Sequence, residues 1–255
     1  MNINDVLENS LRTINTQLGR DKTCRFVQYF AKFIVPTIAA QGPQNNELKE
    51  KLEKLGGNMS LTRKVLRFGK PIPLIKGIID RIAEHQKKPV RMFLWRILSD
   101  LFLILYFLTD HPLYFQRVGL VKMEKDLVSK IDYYNNVAWF INASLDIICD
   151  LVDLMAIQKE IKILVSQINS SYILKQRATQ KSKVDSSDQS AVSDYKSKMK
   201  NLQMQHFLKL LSIIRSSVDI PVIFHFMGSE KVSSQLAGFF GTISSSISLY
   251  NLWGK

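Results

Sequence analysis

Cysteine is nearly absent from this 255-residue chain, and the two present exclude a disulfide scaffold. Cys24 and Cys149 stand far apart in apolar surroundings, which points to a reducing compartment. The first residues, Met1 to Glu8, lack a basic region followed by an apolar run, so no secretory signal peptide is expected. The 11 glycines show neither the phosphate-loop nor the dinucleotide-binding spacing. The four histidines are isolated, with no Cys, His or Glu at metal-ligand spacing. Nothing resembles a nucleophile elbow. Strand-type alternation and internal repeats are missing too. These absences argue against an enzyme and imply no cofactor and no metal.

Negative charge is in short supply as well. The chain holds 35 Lys and Arg against 22 Asp and Glu, a formal net charge of +13. Residues 1–95 carry 17 of the basic and only 8 of the acidic residues. A basic half implies a polyanionic partner, nucleic acid or acidic lipid. Single-strand readers set exposed aromatic platforms in basic grooves. Here the aromatics cluster in long apolar runs and no recognition motif is visible, so no nucleic-acid partner is expected.

What is present is helical periodicity. Ile3, Leu7, Leu11, Ile14 and Leu18 recur at helical spacing. A second helix is expected from about Asp21 to Val35, stopped by Pro36, and a third from Asn46, broken by Gly56-Gly57-Asn58. Residues 93–108 are strongly apolar but short for a lone span, which needs about 20 residues. Asp110-His-Pro-Leu reads as a turn, and 137–157 as a further apolar stretch. The run 232–254 has no charge over 23 positions and suits a membrane span. Its Gly238 and Gly241 are candidates for close helix association. The expected fold is all-α, a helical membrane protein in four regions. These are a basic amphipathic region over 1–92 facing the cytosol, apolar membrane-associated helices over 93–175, a flexible polar linker over 176–200, and carboxy-terminal membrane helices over 201–255.

Two local patterns carry chemistry. In Ser60-Leu-Thr-Arg-Lys-Val-Leu-Arg-Phe-Gly-Lys70, winding at about 100° per residue gathers Leu61, Val65 and Phe68 within roughly 60°. Arg63, Arg67 and Lys70 gather on the other side, flanked by Lys64. That pattern fits a helix lying on an anionic membrane, with the apolar stripe at the acyl boundary, and equally a solvated helix packing that stripe on the protein's own core. The second pattern is Asp146, Asp150 and Asp153, which share one face of an apolar helix. Uncompensated carboxylates there are costly. They line a pore, join an interhelical ion-pair network with Arg96 and Arg215 as candidate partners, or form a solvent-facing stripe. The network or the stripe is the favoured reading over the pore.

Gly19-Arg20-Asp21-Lys22, followed by Arg25 and by Gln28-Tyr29, resembles the opening motif of the peroxisomal biogenesis factor 11 family. The segment Leu61 to Lys70 resembles that family's amphipathic helix, and Gly238 to Tyr250 its closing membrane segment. The resemblance implies a multi-pass protein of peroxisomes, or of related microbodies such as glycosomes, with cytosolic termini. It further implies membrane elongation and fission, self-association, and work with a fission adaptor and a dynamin-like GTPase. A metabolite pore is the family-based alternative.

Overall fold

The computed structural model describes residues 2–84, 90–179 and 187–253. Among them are eight α-helices and no strand: α1 (Ile3–Asn15), α2 (Gln17–Ala39), α3 (Asn46–Leu66), α4 (Pro71–Glu84), α5 (Val90–Arg117), α6 (Lys125–Thr179), α7 (Ser187–Phe226) and α8 (Ser234–Leu252). Two compact units form. One holds residues 1–147 and 214–255; the other is the helical pair of residues 148–213.

In the larger unit α2 is the central element, packed on both α3 and α8. The corner that launches it depends on Gly19. Thr16 caps α2 by accepting a hydrogen bond from the Gly19 amide at 2.9 Å. A Cβ at Gly19 would stand 1.8 Å from the Thr13 carbonyl oxygen, so no other residue fits that turn as built. On α8, Ala237, Gly238, Gly241, Ser244, Ser245 and Ser248 form a buried small-residue face. A Cβ at Gly238 would meet the backbone of Phe33, and one at Gly241 the ring of Tyr29, at 2.4 and 2.3 Å. Small side chains thus let α2 and α8 approach backbone to backbone. Gly238 and Gly241 associate helices within one chain.

On another side of this unit, α5 packs on the first part of α6. Tyr106, Phe107 and Ala138 form an apolar cluster with Leu103 and Trp139 against it. Asn135 donates to the Tyr106 carbonyl at 2.6 Å, and Asn142 to the Ser99 hydroxyl at 2.8 Å. Buried amides are thereby satisfied across two apolar helices.

Several sequence expectations change. Gly56 and Gly57 do not break α3, which runs through both and packs on α2. Pro36 and Pro112 lie inside α2 and α5 rather than ending them. Pro71 and Pro73 open α4, where a first-turn proline lacks only an amide that has no partner. The apolar run expected over 93–108 belongs to a longer helix. Met92–Arg117 is long and apolar enough to cross a membrane, and only 17% of its apolar window is buried. Among the described residues it alone meets that description, whereas α8 is diluted by its hydroxyl residues. Most of the polar stretch 176–200 continues α6 and α7; residues 180–186 fall outside the described residues.

Gly241→Ala should destabilise the protein by about 1–3 kcal/mol through overpacking. Gly77→Ala, on α4 with nothing near its Cβ position, should be neutral or raise stability by up to about 1 kcal/mol. Thermal unfolding in detergent checks both.

Candidate functional site

The basic stretch faces inward. Asp21, 1% exposed on α2, accepts an ion pair from Arg63 Nε at 3.3 Å, from Arg67 Nε at 3.4 Å and from Lys70 Nζ at 3.0 Å. Asp110 on α5 pairs with Lys64, and with Arg67 Nη1 at 3.3 Å. Arg67 also donates to the Tyr106 hydroxyl at 2.8 Å, and Arg63 to Gln28 Oε1 at 2.7 Å. The helix ends at Leu66, and Gly69, with φ of +80°, turns the chain so that Lys70 reaches back to Asp21. Phe68 stacks on His111 with ring centroids 4.5 Å apart, beside Tyr114 and Phe115. Leu61 is half-buried; of the apolar stripe only Val65 is exposed. The expectation that Arg63, Lys64, Arg67 and Lys70 sit among lipid phosphates therefore does not match their placement. Their charge is taken up by Asp21 and Asp110, carboxylates that helical-wheel geometry cannot see.

The opening motif supplies the other half of this arrangement. Arg20 Nε donates to the Ile14 carbonyl at 2.9 Å and ties α2 to α1. Arg25, buried on α2, pairs with Asp219 of α7 at 2.6 Å and donates to Ser244 of α8 at 3.0 Å. Tyr29, 2% exposed, packs on Gly241 with the Arg25 guanidinium 5.4 Å from its ring centroid. Gly19, Asp21, Arg25, Gln28 and Tyr29 are thus explained by packing. Burial works to raise the Asp21 carboxyl, but Arg67 and Arg63 outweigh it and hold it far below the usual carboxylate range.

These elements enclose a cavity of about 460 Å³. Its wall holds six cations (Lys22, Arg25, Arg63, Arg67, Lys70 and Arg215) and three carboxylates, Asp21, Asp146 and Asp219. Leu74, Leu103, Phe107 and Trp139 make the apolar side.

The three carboxylates of α6 separate. Asp146 accepts from Ser99 Oγ at 2.6 Å and borders the cavity. In the smaller unit Lys209 Nζ bridges Asp150 and Asp153 at 2.6 and 2.8 Å. Burial lowers the Lys209 ammonium, but its hydrogen bonds to both carboxylates raise it above the usual lysine range. Lys209 is thus a partner of Asp150 and Asp153 that the expected pairing with Arg96 or Arg215 did not include. Arg96 lies on α5, where neighbouring Asp100 pairs with Arg81 at 3.4 Å. Sequence reasoning passed over Asp110, Asp219 and Lys209 as partners. Each is a charge inside an apolar run, the signal that a counter-charge faces it from another helix.

A model of the family described as peroxisomal biogenesis factor 11 matches residues 7–253. The chain belongs to that family. Among its relatives, peroxisomal membrane protein PMP30B of Candida boidinii is 24% identical over 97% of this chain and 94% of its own length. Peroxisomal membrane protein 11-5 of Oryza sativa subsp. japonica is 25% identical over 94% of this chain and 89% of its own length. The peroxisomal membrane protein 11 homolog of Dictyostelium discoideum is 23% identical over 100% of this chain and 97% of its own. No solved structure matches the chain. In this family member, the opening motif and the basic stretch meet at one buried charge network.

Arg25→Asp should cost about 3–5 kcal/mol by leaving Asp219 against another carboxylate, and Asp219→Arg in the same chain should recover much of that loss. Thermal unfolding in detergent measures both. Because Asp21 has a lowered folded pKa, its contribution is complete above about pH 4 and is lost as pH falls below that. Asp21→Asn should therefore be less stable at pH 7 and show a weaker acid dependence than the parent, read from melting temperature between pH 3 and pH 7.

Proposed function

We propose that this protein resides in the peroxisomal membrane and elongates it by shallow insertion of amphipathic helices, which prepares the membrane for fission. The observation that carries this reading is the inverted distribution of polarity in the larger unit. A network of charged residues (Asp21, Arg25, Arg63, Arg67, Asp110 and Asp219) is buried, while leucines and isoleucines of α1, α4 and α5 are exposed. In water that arrangement leaves a large apolar surface uncovered. In lipid it is the ordinary arrangement, with ionisable groups turned inward.

The exposed stripes identify the wedge. Ile3, Leu7, Leu11 and Ile14 mark one face of α1. Ile72, Ile75, Ile79 and Ile82 mark one face of α4 and are 48–71% exposed. Each stripe follows the helical period. Leu94, Leu98, Leu101, Leu105 and Leu108 give α5 an apolar outer face along its length. On this reading α5 anchors the chain, and α1 and α4 lie in the cytosolic leaflet and expand it. Lys76 pairs with Asp80 on α4 at 3.0 Å, so that helix is close to neutral on its polar side. Adsorption then draws mainly on apolar burial, at most about 1.5–3 kcal/mol for each inserted side chain. Anionic lipid assists through the net charge of the chain. On this reading the protein self-associates and works with a fission adaptor and a dynamin-like GTPase. Family membership supports no enzymatic role.

Reconstituted into liposomes, the full chain should draw them into tubules. Ile75→Asp with Ile79→Asp should abolish tubules while α5 keeps the protein in the bilayer and the thermal midpoint stays within about 2 °C, since neither side chain is buried. Electron microscopy and flotation read the two effects. Unchanged tubulation in that variant would remove α4 from the mechanism.

A further inference from the structure

Cations outnumber carboxylates in the cavity. Six line it against three carboxylates. Asp21 is engaged by Arg63, Arg67 and Lys70, and Asp219 by Arg25. No hydrogen bond or ion pair holds Lys22 among the described residues; burial and repulsion from Arg25 outweigh the attraction of Asp21 and hold its ammonium well below the usual lysine range. Arg215 donates only to Ser216, at a long 3.4 Å, and its buried Nε has no partner. Arg25 Nε is buried and unpartnered as well. A lysine escapes an unpaired buried charge by losing its proton; an arginine does not. An anion in the cavity would supply the acceptors that these groups lack.

Lys22 is also the member of the Gly19-Arg20-Asp21-Lys22 motif that the packing does not use. Its neighbours hold the corner, the tie to α1 and the charge network, while it faces the cavity.

We propose that this cavity binds a phosphate monoester carried on an apolar or aromatic body, with Lys22, Arg25 and Arg215 holding the phosphate. A phosphate monoester brings about 1.5–2 negative charges at neutral pH and would offset part of the cationic excess. Guanidinium groups meet its oxygens in pairs, and an ammonium adds a point charge. Leu74, Leu103, Phe107 and Trp139 offer the body of the ligand a dry wall. A volume of about 460 Å³ is that of an ordinary small-molecule site. The same chemistry comes from two sources, a lipid headgroup such as phosphatidic acid or a soluble phosphate ester. This assignment does not rest on membrane remodelling.

The test uses the full chain in neutral detergent, with no bilayer present, so its failure is separate from failure of the wedge. Inorganic phosphate and short-chain phosphatidic acid are titrated separately, against sodium chloride of equal ionic strength and short-chain phosphatidylcholine. Melting temperature and titration calorimetry are read. At least one phosphate compound should raise the melting temperature saturably, with affinity about tenfold weaker in Lys22→Ala and in Arg215→Ala. Response to phosphatidic acid alone identifies a lipid headgroup; response to inorganic phosphate as well identifies a soluble ester. Either outcome upholds the site. Without phosphate, Lys22→Ala and the longer Lys22→Met should melt at or above the parent, because an unpaired cation is gone. With phosphate they should melt below it. No response beyond chloride, or equal affinity in the parent and all three variants, overturns the proposal.

Discussion

A single carboxylate, Asp21, organises the larger unit. It sits inside an apolar bundle and holds Arg63, Arg67 and Lys70 at 3.0–3.4 Å. One negative charge does not neutralise three positive ones, so the network extends. Arg67 shares Asp110, and Arg25 on the next turn of α2 takes Asp219. These pairs join α2 to α3, α5 and α7, while the small-residue face of α8 closes the remaining side. Because buried charges tolerate no loss of a partner, the position of one helix constrains the others. Packing alone would permit sliding. The requirement that each guanidinium meet an oxygen fixes the register.

The same network decides between two places for the basic stretch. At an anionic surface four Lys and Arg residues gain about 1 kcal/mol each. Leaving the interior would strip Asp21 and Asp110 of their partners, and each buried charge stranded in this way costs about 3–5 kcal/mol. Two stranded carboxylates outweigh the surface gain. The docked position is therefore the favoured one, and the lipid-facing role passes to helices that give up nothing by inserting. α1 and α4 meet that condition, since their apolar stripes stay about half exposed or more.

Much of this was legible in the sequence and some of it could not be. Helix content followed from periodicity, and α1 is the stripe of Ile3, Leu7, Leu11 and Ile14 read directly. The importance of the Gly19 to Tyr29 motif was visible as a resemblance, but its physical content was not. That content lies in contacts across about 200 residues, such as Arg25 with Asp219 and Ser244. Glycines and prolines misled in a consistent direction. Gly56, Pro36 and Pro112 stay within helices because tertiary packing outweighs a local cost of about 1–3 kcal/mol. The basic stretch misled for a different reason. A helical wheel reports which residues share a face, not what that face meets, and an anionic membrane and a pair of buried aspartates satisfy it equally.

An inward-facing charge network and an outward-facing apolar surface have one cause. A helix that offers lipid an apolar face must turn its polar residues towards its neighbours, and those residues must then be balanced there. Every cation around Asp21 and Asp110 has a carboxylate partner, whereas Lys22 has no ion pair and Arg215 Nε has no hydrogen-bond partner. Stability alone would favour removing the surplus, since an apolar residue of similar size at Lys22 would cost nothing in ion pairs. The surplus is concentrated in one cavity with an apolar wall, rather than spread through the bundle. That concentration separates a binding site from a residue of imperfect packing, and it places the ligand in contact with α2, the helix through which every other part of the unit is held.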